Sequence, residues 1–491
     1  MLSGFEIDKK RVERVWIELK RRYPLLGARV HEEEEKASFV VSEDRILCCL
    51  PDEITFSNEG GSWDEAQAFA DDLVNTEEGS HVLDEKMLAR VWVLLCGGEQ
   101  RMYVVLAVAH VITDGMSNML LLRRFLEGLF GGEGGWDWEE RLGLCLASED
   151  LNRARWEMSL ARRRWRRAIA DVMAENQLDK LKVTSFATTL KLIDLGLQGG
   201  HTIPRRITSH TLVIAARSKC IVRTLSATLS EKIMRTCRAE GITFGDAYPI
   251  IGQLATARVL LRRYLRNEIG EEEWMWRRRE GMCSAGPVNL RRFFEREDYV
   301  GVALGFYHCS IGFLPLGAAS KMEEMPPVGG LLTRERFVFR AREVQKQKRR
   351  YLESGLCLEM GDAFLRRRGR VEMARGVAKE WTRQREGEEK VVNAMDQAGS
   401  GFVLCNGGSS MGNVDGLLPA DYRGLRLERD VTRLRCRPGE FYLGAKTQYG
   451  QMHIHVFFDA NVVEEEVARE WMDEVELALE YYLGRSQDIY F

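Results

Sequence analysis

The chain has no apolar run approaching the roughly 18 residues that a membrane-spanning helix needs, so no span is expected. It has no C-x-x-C pair. Its eleven cysteines are scattered, with only Cys48 and Cys49 adjoining. That argues against a zinc ribbon or a disulfide framework and gives no expectation of a metal site. Free thiols in a reducing compartment fit the pattern better. An excess of charge of one sign is also missing: 71 Lys and Arg residues offset 74 Asp and Glu, for a net charge of -3. The balance excludes bulk attraction to nucleic acid or anionic membranes, so partners have to be argued from sites. The N-terminal Glu6-Ile7-Asp8-Lys9-Lys10 is too charged for a secretory leader, and no short repeat is visible. The expectation is a cytoplasmic protein without a nucleic-acid partner.

Present instead is ordinary globular material. Hydrophobic residues make up 45% of 491, enough for large cores in roughly two to four domains. Asp8–Tyr23 reads as a helix, because Val12, Val15, Trp16 and Leu19 fall on one face. Pro24 stops it and Pro24–Val30 leads into a strand. Leu88–Leu95 and Arg101–Ala109 read as two strands with Gly97-Gly98 between them. The second is apolar without alternation, which predicts a strand buried on both faces at the centre of its sheet. A helix is expected from Gly115 to Phe130, with Leu122, Phe125, Leu126 and Leu129 inside, and a basic helix over 151–178. The stretch Leu195–Ser209 lacks periodicity and is the expected crossover between two lobes. Further on, helices are expected over Ser230–Glu240, from Asp246 to Arg266, and over Val462–Leu483. Strands are expected at Val302–Phe306, Phe402–Leu404, Phe441–Leu443 and Met452–Phe458, with loop over 267–281 carrying two part-buried tryptophans, Trp274 and Trp276. Alternating helices and strands give an α/β or α+β class.

The sharpest chemical feature is His110-Val111-Ile112-Thr113-Asp114-Gly115. A strand delivers His110 at its end, just before a helix begins, which is where ligands meet α/β sheets. Histidine can accept a proton near neutral pH. Asp114 is placed to cap the helix or meet an arginine, and Gly115 leaves room at the backbone. The plain alternative is a core histidine followed by an N-cap.

Gly408-Ser409-Ser410-Met411-Gly412 matches the G-x-S-x-G nucleophile elbow, and Asp415, His453 and His455 follow it in a workable order. An elbow must open a helix, however, and Gly407–Gly416 reads as a loop after a strand. His453 and His455 share a strand face, a spacing that suits a metal but lacks a third ligand. The run Arg162-Arg163-Arg164-Trp165-Arg166-Arg167 reads as a solvated helix face.

Taken together these segments resemble the H-x-x-x-D-G acyltransferase superfamily, which includes condensation domains and fungal trichothecene O-acetyltransferases. The resemblance rests on His110–Gly115 and on the helix exit Arg22-Tyr23-Pro24-Leu25-Leu26-Gly27-Ala28-Arg29. It also rests on Gly286-Pro287-Val288-Asn289-Leu290-Arg291, on Met411-Gly412-Asn413-Val414-Asp415, and on the closing strand and helix. They occur in the family's order over nearly the whole chain. The D-F-G-W-G segment of plant-type members is missing, and Leu2–Ile7 is the stretch available for the family's initial strand.

The resemblance implies two chloramphenicol-acetyltransferase-like lobes, 1–200 and 201–491, set in a V with the active-site tunnel between them. It implies a monomeric, CoA-dependent O-acyltransferase. The enzyme would use acetyl-CoA or another acyl-CoA as co-substrate, with no cofactor held permanently, and a hydroxylated small molecule as acceptor. His110 would be the general base. Asp114 would be structural, paired with Arg291. A backbone amide near Gly115, or Ser409 or Ser410, would meet the oxyanion, with Asn413 in the substrate-side loop. Two alternatives stay open: a free-standing condensation-type catalyst that uses a carrier-protein thioester or closes a ring, and a non-catalytic binding protein on the same fold.

Overall fold

The structure, a computed structural model, describes residues 7–33, 36–75, 82–96, 101–131, 134–148, 150–151, 157–181, 216–271, 274–275, 282–294, 298–312, 314, 324–366, 405–436, 440–460 and 463–485. The chain forms two compact units. The first comprises Met1–Met158, Asn289–Leu304 and Val414–Arg433; the second comprises Ser159–Val288, Gly305–Asn413 and Leu434–Phe491. The units interleave along the chain instead of following one another as two halves. The expected crossover at 195–209 lies outside the described residues.

In the first unit, helix α1 (Lys9–Arg22) starts where Asp8 accepts a hydrogen bond from the Arg11 amide. The apolar spacing works as expected, since Val12, Val15, Trp16 and Leu19 are all buried. Pro24–Gly27 makes a 3-10 turn. Strand β1 (Arg29–Glu33) follows and pairs antiparallel with β2 (Lys36–Val40). Two helices come next, α2 (Glu43–Leu47) and α3 (Trp63–Asn75).

A three-stranded sheet joins β3 (Ile54–Ser57), β4 (Ala89–Cys96) and β5 (Arg101–Val108) in that order. β4 and β5 pair antiparallel from Ala89↔Val108 to Cys96↔Arg101. The Gly97-Gly98 turn lies outside the described residues. The expectation for β5 is corrected here. Among the described residues it pairs with β4 alone, and every residue after Arg101 is half-buried. β4, held by β3 on one side and β5 on the other, is the central and more deeply buried strand. An apolar run without alternation also suits an edge strand with both faces partly covered, and periodicity does not separate the two cases.

Helices α4 (Gly115–Leu129) and α5 (Trp138–Leu142) also belong to the unit. Phe125, Leu126 and Leu129 of α4 are buried as expected, while Leu122 is half-buried. Trp16 meets Phe125 edge to face at 6.5 Å. Leu418 and Tyr422, from the segment Val414–Arg433, are buried in this same core.

The second unit is built on a six-stranded sheet with the order β6-β11-β10-β9-β7-β8. The strands are β6 (Ser218–Thr224), β7 (Met282–Asn289), β8 (Leu304–Ile311), β9 (Cys405–Asn413), β10 (Phe441–Gln448) and β11 (Gln451–Asp459). β9 runs parallel to both β10 and β7, and β11 runs antiparallel to both β10 and β6. The longer helices described here include α6 (Leu160–Leu181), α7 (Ala227–Ala239), α8 (Phe244–Leu265), α9 (Arg334–Glu353) and α10 (Cys357–Arg366). Another, α11 (Glu465–Leu479), runs into a π-helical turn at Glu480–Gly484.

α8 is buried on almost every side. Thr243 and Asp246 close its N-terminus as a capping box. It packs on α11, where the buried Arg258 pairs with Glu474 and the Trp471 indole donates to Thr256 Oγ1 at 2.9 Å. The strand expected at Phe402–Leu404 lies outside the described residues, as does Trp276. Trp274 is fully buried and stacks on Tyr264 at 5.2 Å, where the sequence suggested partial burial.

Candidate functional site

The first unit carries the H-x-x-x-D-G segment on a turn that is pinned at both ends. At its start the Ala109 amide donates to Leu88 O at 2.8 Å, which holds the end of β5 against the start of β4. The Ile112 amide closes the turn onto Ala109 O at 3.0 Å, and the Ile112 side chain is buried in the unit's core. Thr113 Oγ1 donates to Asn118 Oδ1 at 2.8 Å. Between these anchors His110 is exposed, and its ring makes no hydrogen bond to a described residue. It is therefore not a satisfied core histidine.

Asp114 does both things the sequence allows. Its side chain is wholly buried. Oδ1 caps α4 by accepting from the Ser117 amide at 2.9 Å. The same carboxylate receives Arg291 as a two-pronged pair, Nη1 to Oδ2 and Nη2 to Oδ1, each at 2.9 Å. Oδ2 also accepts from the Ala303 amide at 2.9 Å. The pairing that the resemblance implies is thus present. Arg291 opens a 3-10 turn (Arg291–Phe293), with its amide donating to Asn289 Oδ1 at 2.9 Å, and its other donors reach Gly301 O at 3.0 Å and Tyr299 O at 3.3 Å.

Ser117 is a member of this network that the sequence reading missed. Its buried hydroxyl accepts from Arg291 Nη2 at 2.6 Å and from the Gly301 amide at 3.1 Å, and donates to Gly301 O at 3.0 Å. The signal was its place three residues after a candidate N-cap, the position whose amide a cap receives. The arrangement fixes the backbone on either side of His110 and spends Asp114 on structure. Four hydrogen bonds hold the carboxylate in one orientation.

Gly115 opens α4, and its amide and that of Met116 belong to the first helical turn, where N–H groups have no intrahelical acceptor. Such amides can stabilise a developing negative charge.

The other sequence-singled residues belong to the second unit. Gly407–Asn413 is strand, not the loop expected from its glycines. Ser409 and Ser410 are half-buried within β9, and Asn413 ends it, exposed. The pairing with β10 slips between Ser410↔Ala445 and Asn413↔Thr447, a bulge that contains Gly412 at φ +73°. Glycine takes that left-handed conformation without strain, so the motif's last glycine serves a bulge. A nucleophile elbow requires a strand-to-helix turn, so this geometry speaks against a Ser410 hydrolase. Gly408 has another reason to be glycine. A Cβ there would sit 2.3 Å from Tyr248 Cε2, and the Tyr248 hydroxyl donates to Gly408 O at 2.8 Å. His453 Nδ1 lies 3.0 Å from Thr224 Oγ1, and His455 meets Phe457 edge to face at 4.8 Å. Among the described residues no cluster of side chains is arranged to hold a metal, and no helix is long and apolar enough to cross a membrane.

The chain matches no protein-family model and no curated protein sequence. Solved structures do match it. A trichothecene 15-O-acetyltransferase from Fusarium sporotrichioides is 12% identical with a TM-score of 0.62, over 97% of this chain and 87% of that one. The condensation domain of the monacolin K polyketide synthase is 10% identical with a TM-score of 0.56, over 97% and 90%. The first condensation domain of the CDA synthetase is 15% identical with a TM-score of 0.50, over 98% and 90%. The chain is a mixed α/β protein that shares its fold with the condensation-domain-like acyltransferases.

Proposed function

We propose that the chain is a thioester-dependent O-acyltransferase that acylates a hydroxyl of a small molecule, with His110 as general base and acetyl-CoA or another acyl-CoA as donor. The observation that carries the reading is the exposed, unbonded imidazole of His110 on a turn whose neighbouring Asp114 is locked to Arg291. The shared fold supports the same reaction class.

The steps follow from the groups present. The acceptor hydroxyl gives its proton to the His110 imidazole as its oxygen bonds to the thioester carbonyl carbon. The carbonyl oxygen becomes an oxyanion, and the first-turn amides of α4 at Gly115 and Met116 are the donors proposed for it within this unit. Collapse of the tetrahedral intermediate breaks the C–S bond. The imidazolium returns its proton to the leaving thiolate, which leaves ester and free thiol. No permanently bound cofactor enters these steps.

The test is release of free thiol from acetyl-CoA in the presence of pooled hydroxylated metabolites, for the wild type and for His110→Ala. Acceptor-dependent release that disappears in the variant supports the reading. Release that survives in the variant overturns His110 as base, and no release by folded wild-type protein overturns the use of acetyl-CoA. A second reading, a condensation-type catalyst fed by a carrier-protein thioester, is favoured by the condensation domains among the structural matches. Acyl transfer from a phosphopantetheine-loaded carrier but not from free CoA would select it.

A further inference from the structure

The first unit contains a pocket that the acyl-transfer steps do not use. It holds about 390 Å³ of space, part of it open to solvent, and every residue that lines it belongs to this unit. Leu25, Leu26, Leu144 and Val300 make its wall apolar, together with Ile112, two residues after His110. Tyr299, also in the wall, donates through its hydroxyl to Leu146 O at 3.0 Å and so ties the segment after α5 to the pocket. Leu144 is 37% exposed and Leu146 45%, so the apolar surface continues outward on that segment.

Two arginines share this wall, and they differ in what they hold. Arg141 is committed: Nε donates to Arg22 O and Nη2 to Asp298 Oδ2, both at 2.9 Å. Arg22 is not. Its guanidinium lies 4.3 Å from the ring centre of Trp136 and 5.5 Å from that of Tyr23. Its Nε is buried without a hydrogen bond, and it has no acidic partner among the described residues. The acidic groups close to it in the chain are engaged elsewhere. Glu18 accepts from Arg21 Nη1 at 3.0 Å and from the Gly135 amide at 2.8 Å, and Asp137 caps α5. The lining therefore carries two cations, Arg22 and Arg141, against one anion, Asp298. Tyr23, only 5% exposed, adds a hydroxyl that lies beside the Arg124 guanidinium and has no acceptor for its own proton.

An apolar pocket with a few polar groups is the usual form of a small-molecule site. Here the polar groups are donors that need acceptors, and one positive charge is in surplus. A carboxylate supplies one negative charge and two acceptor oxygens to such a set. A phosphate monoester brings about two negative charges and fits the balance less well. The apolar wall adds the requirement of a hydrocarbon body.

We propose that this pocket binds a small monocarboxylate. Its carboxylate pairs with Arg22 and accepts from the Tyr23 hydroxyl, and its hydrocarbon body lies against Leu25, Leu144 and Val300.

The experiment is a saturation-transfer NMR titration of the full chain with hexanoate, and with hexanol as the neutral analogue. The wild type is expected to bind hexanoate with a dissociation constant on the order of 1 mM, as suits a ligand of this size, and to bind hexanol far more weakly. Arg22→Gln is expected to weaken hexanoate binding by about tenfold or more, the usual effect of losing a hydrogen bond to a charged group. Arg22→Lys, which keeps the charge, should recover part of it. Leu144→Glu places a negative charge in the wall at a partly exposed position, so it should abolish binding while the protein melts like the wild type. Tyr23→Phe should weaken binding severalfold. Thermal melts confirm folding of each variant. No saturable binding by the folded wild type overturns the proposal. So does hexanol binding as tight as that of hexanoate, or full hexanoate binding by both Arg22→Gln and Leu144→Glu. Binding is read without thiol release, so a failure here is distinct from a failure of the acyltransferase reading.

Discussion

Replacing Asp114 by alanine separates structure from chemistry at the candidate site. The carboxylate is wholly buried and holds four partners: the Ser117 amide, both Arg291 nitrogens and the Ala303 amide. Without it Arg291, only 16% exposed, keeps its bonds to Gly301 O and Tyr299 O but loses its counter-charge. Breaking one side of a buried pair costs about 3–5 kcal/mol, and the lost cap is contained in that figure because the same oxygens serve both. For a compact unit of this size that lowers the melting temperature by about 6–20 °C. Asp114→Asn keeps an acceptor for the cap but not the charge, and should fall between. Asp114→Ala/Arg291→Met should be less destabilised than Asp114→Ala alone, because it leaves no unpaired charge. His110→Ala removes an exposed ring without hydrogen bonds, so its stability should stay within about 0.5 kcal/mol of wild type while thiol release disappears. Thermal unfolding followed by circular dichroism, beside the thiol assay, reads all four variants. An Asp114→Ala protein that melts with the wild type would refute the argument that this carboxylate is structural.

Three further outcomes follow from buried groups elsewhere. Lys20 is fully buried, and its ammonium donates to Arg45 O, Cys48 O and Glu53 Oε2 at 2.6, 2.6 and 2.9 Å. Lys20→Met should therefore cost about 3–5 kcal/mol in denaturant melts, and Lys20→Met/Glu53→Leu less. Gly408→Ala drives a methyl group into Tyr248 and to 2.8 Å from Leu443 O, so it should destabilise the protein by about 1–3 kcal/mol as an overpacked site. Burial raises the Cys49 thiol to about 11, whereas Cys48 beside it is exposed. Iodoacetamide at about pH 8 should alkylate Cys48 first, with Cys49 following only as the protein unfolds, as peptide mass mapping will show.

Elements with one dominant period were legible in the sequence. α1, α4 and α11 each carry an apolar face at helical spacing, and the observed helices differ from expectation by a few residues at their ends. α9 was missed because its buried face is a narrow line, Phe337, Val338, Ala341, Val344 and Tyr351, within a charge-rich stretch. β9 was missed because Cys405-Asn406-Gly407-Gly408-Ser409-Ser410 contains none of the residues that favour strands in isolation. Its neighbours impose the conformation. β10 and β7 supply the hydrogen bonds, and the Tyr248 ring occupies the space beside Gly408 that side chains would fill.

The site shows the same division. His110, Asp114 and Gly115 are adjacent in sequence, and their strand-end position can be read directly. Arg291 lies 177 residues from Asp114, and nothing local to either residue joins them; the expectation of their pairing came from the resemblance. Ser117 escaped notice because its importance lies in three bonds, to Arg291 and Gly301, that exist only once Asn289–Leu304 has returned to the first unit. That return explains how a short turn can hold an exposed histidine in place. The segment that comes back brings the guanidinium that neutralises Asp114 and the Ala303 amide that binds its second oxygen. The turn is therefore fixed by chain from outside its own helix, and His110 needs no hydrogen bond of its own to be positioned.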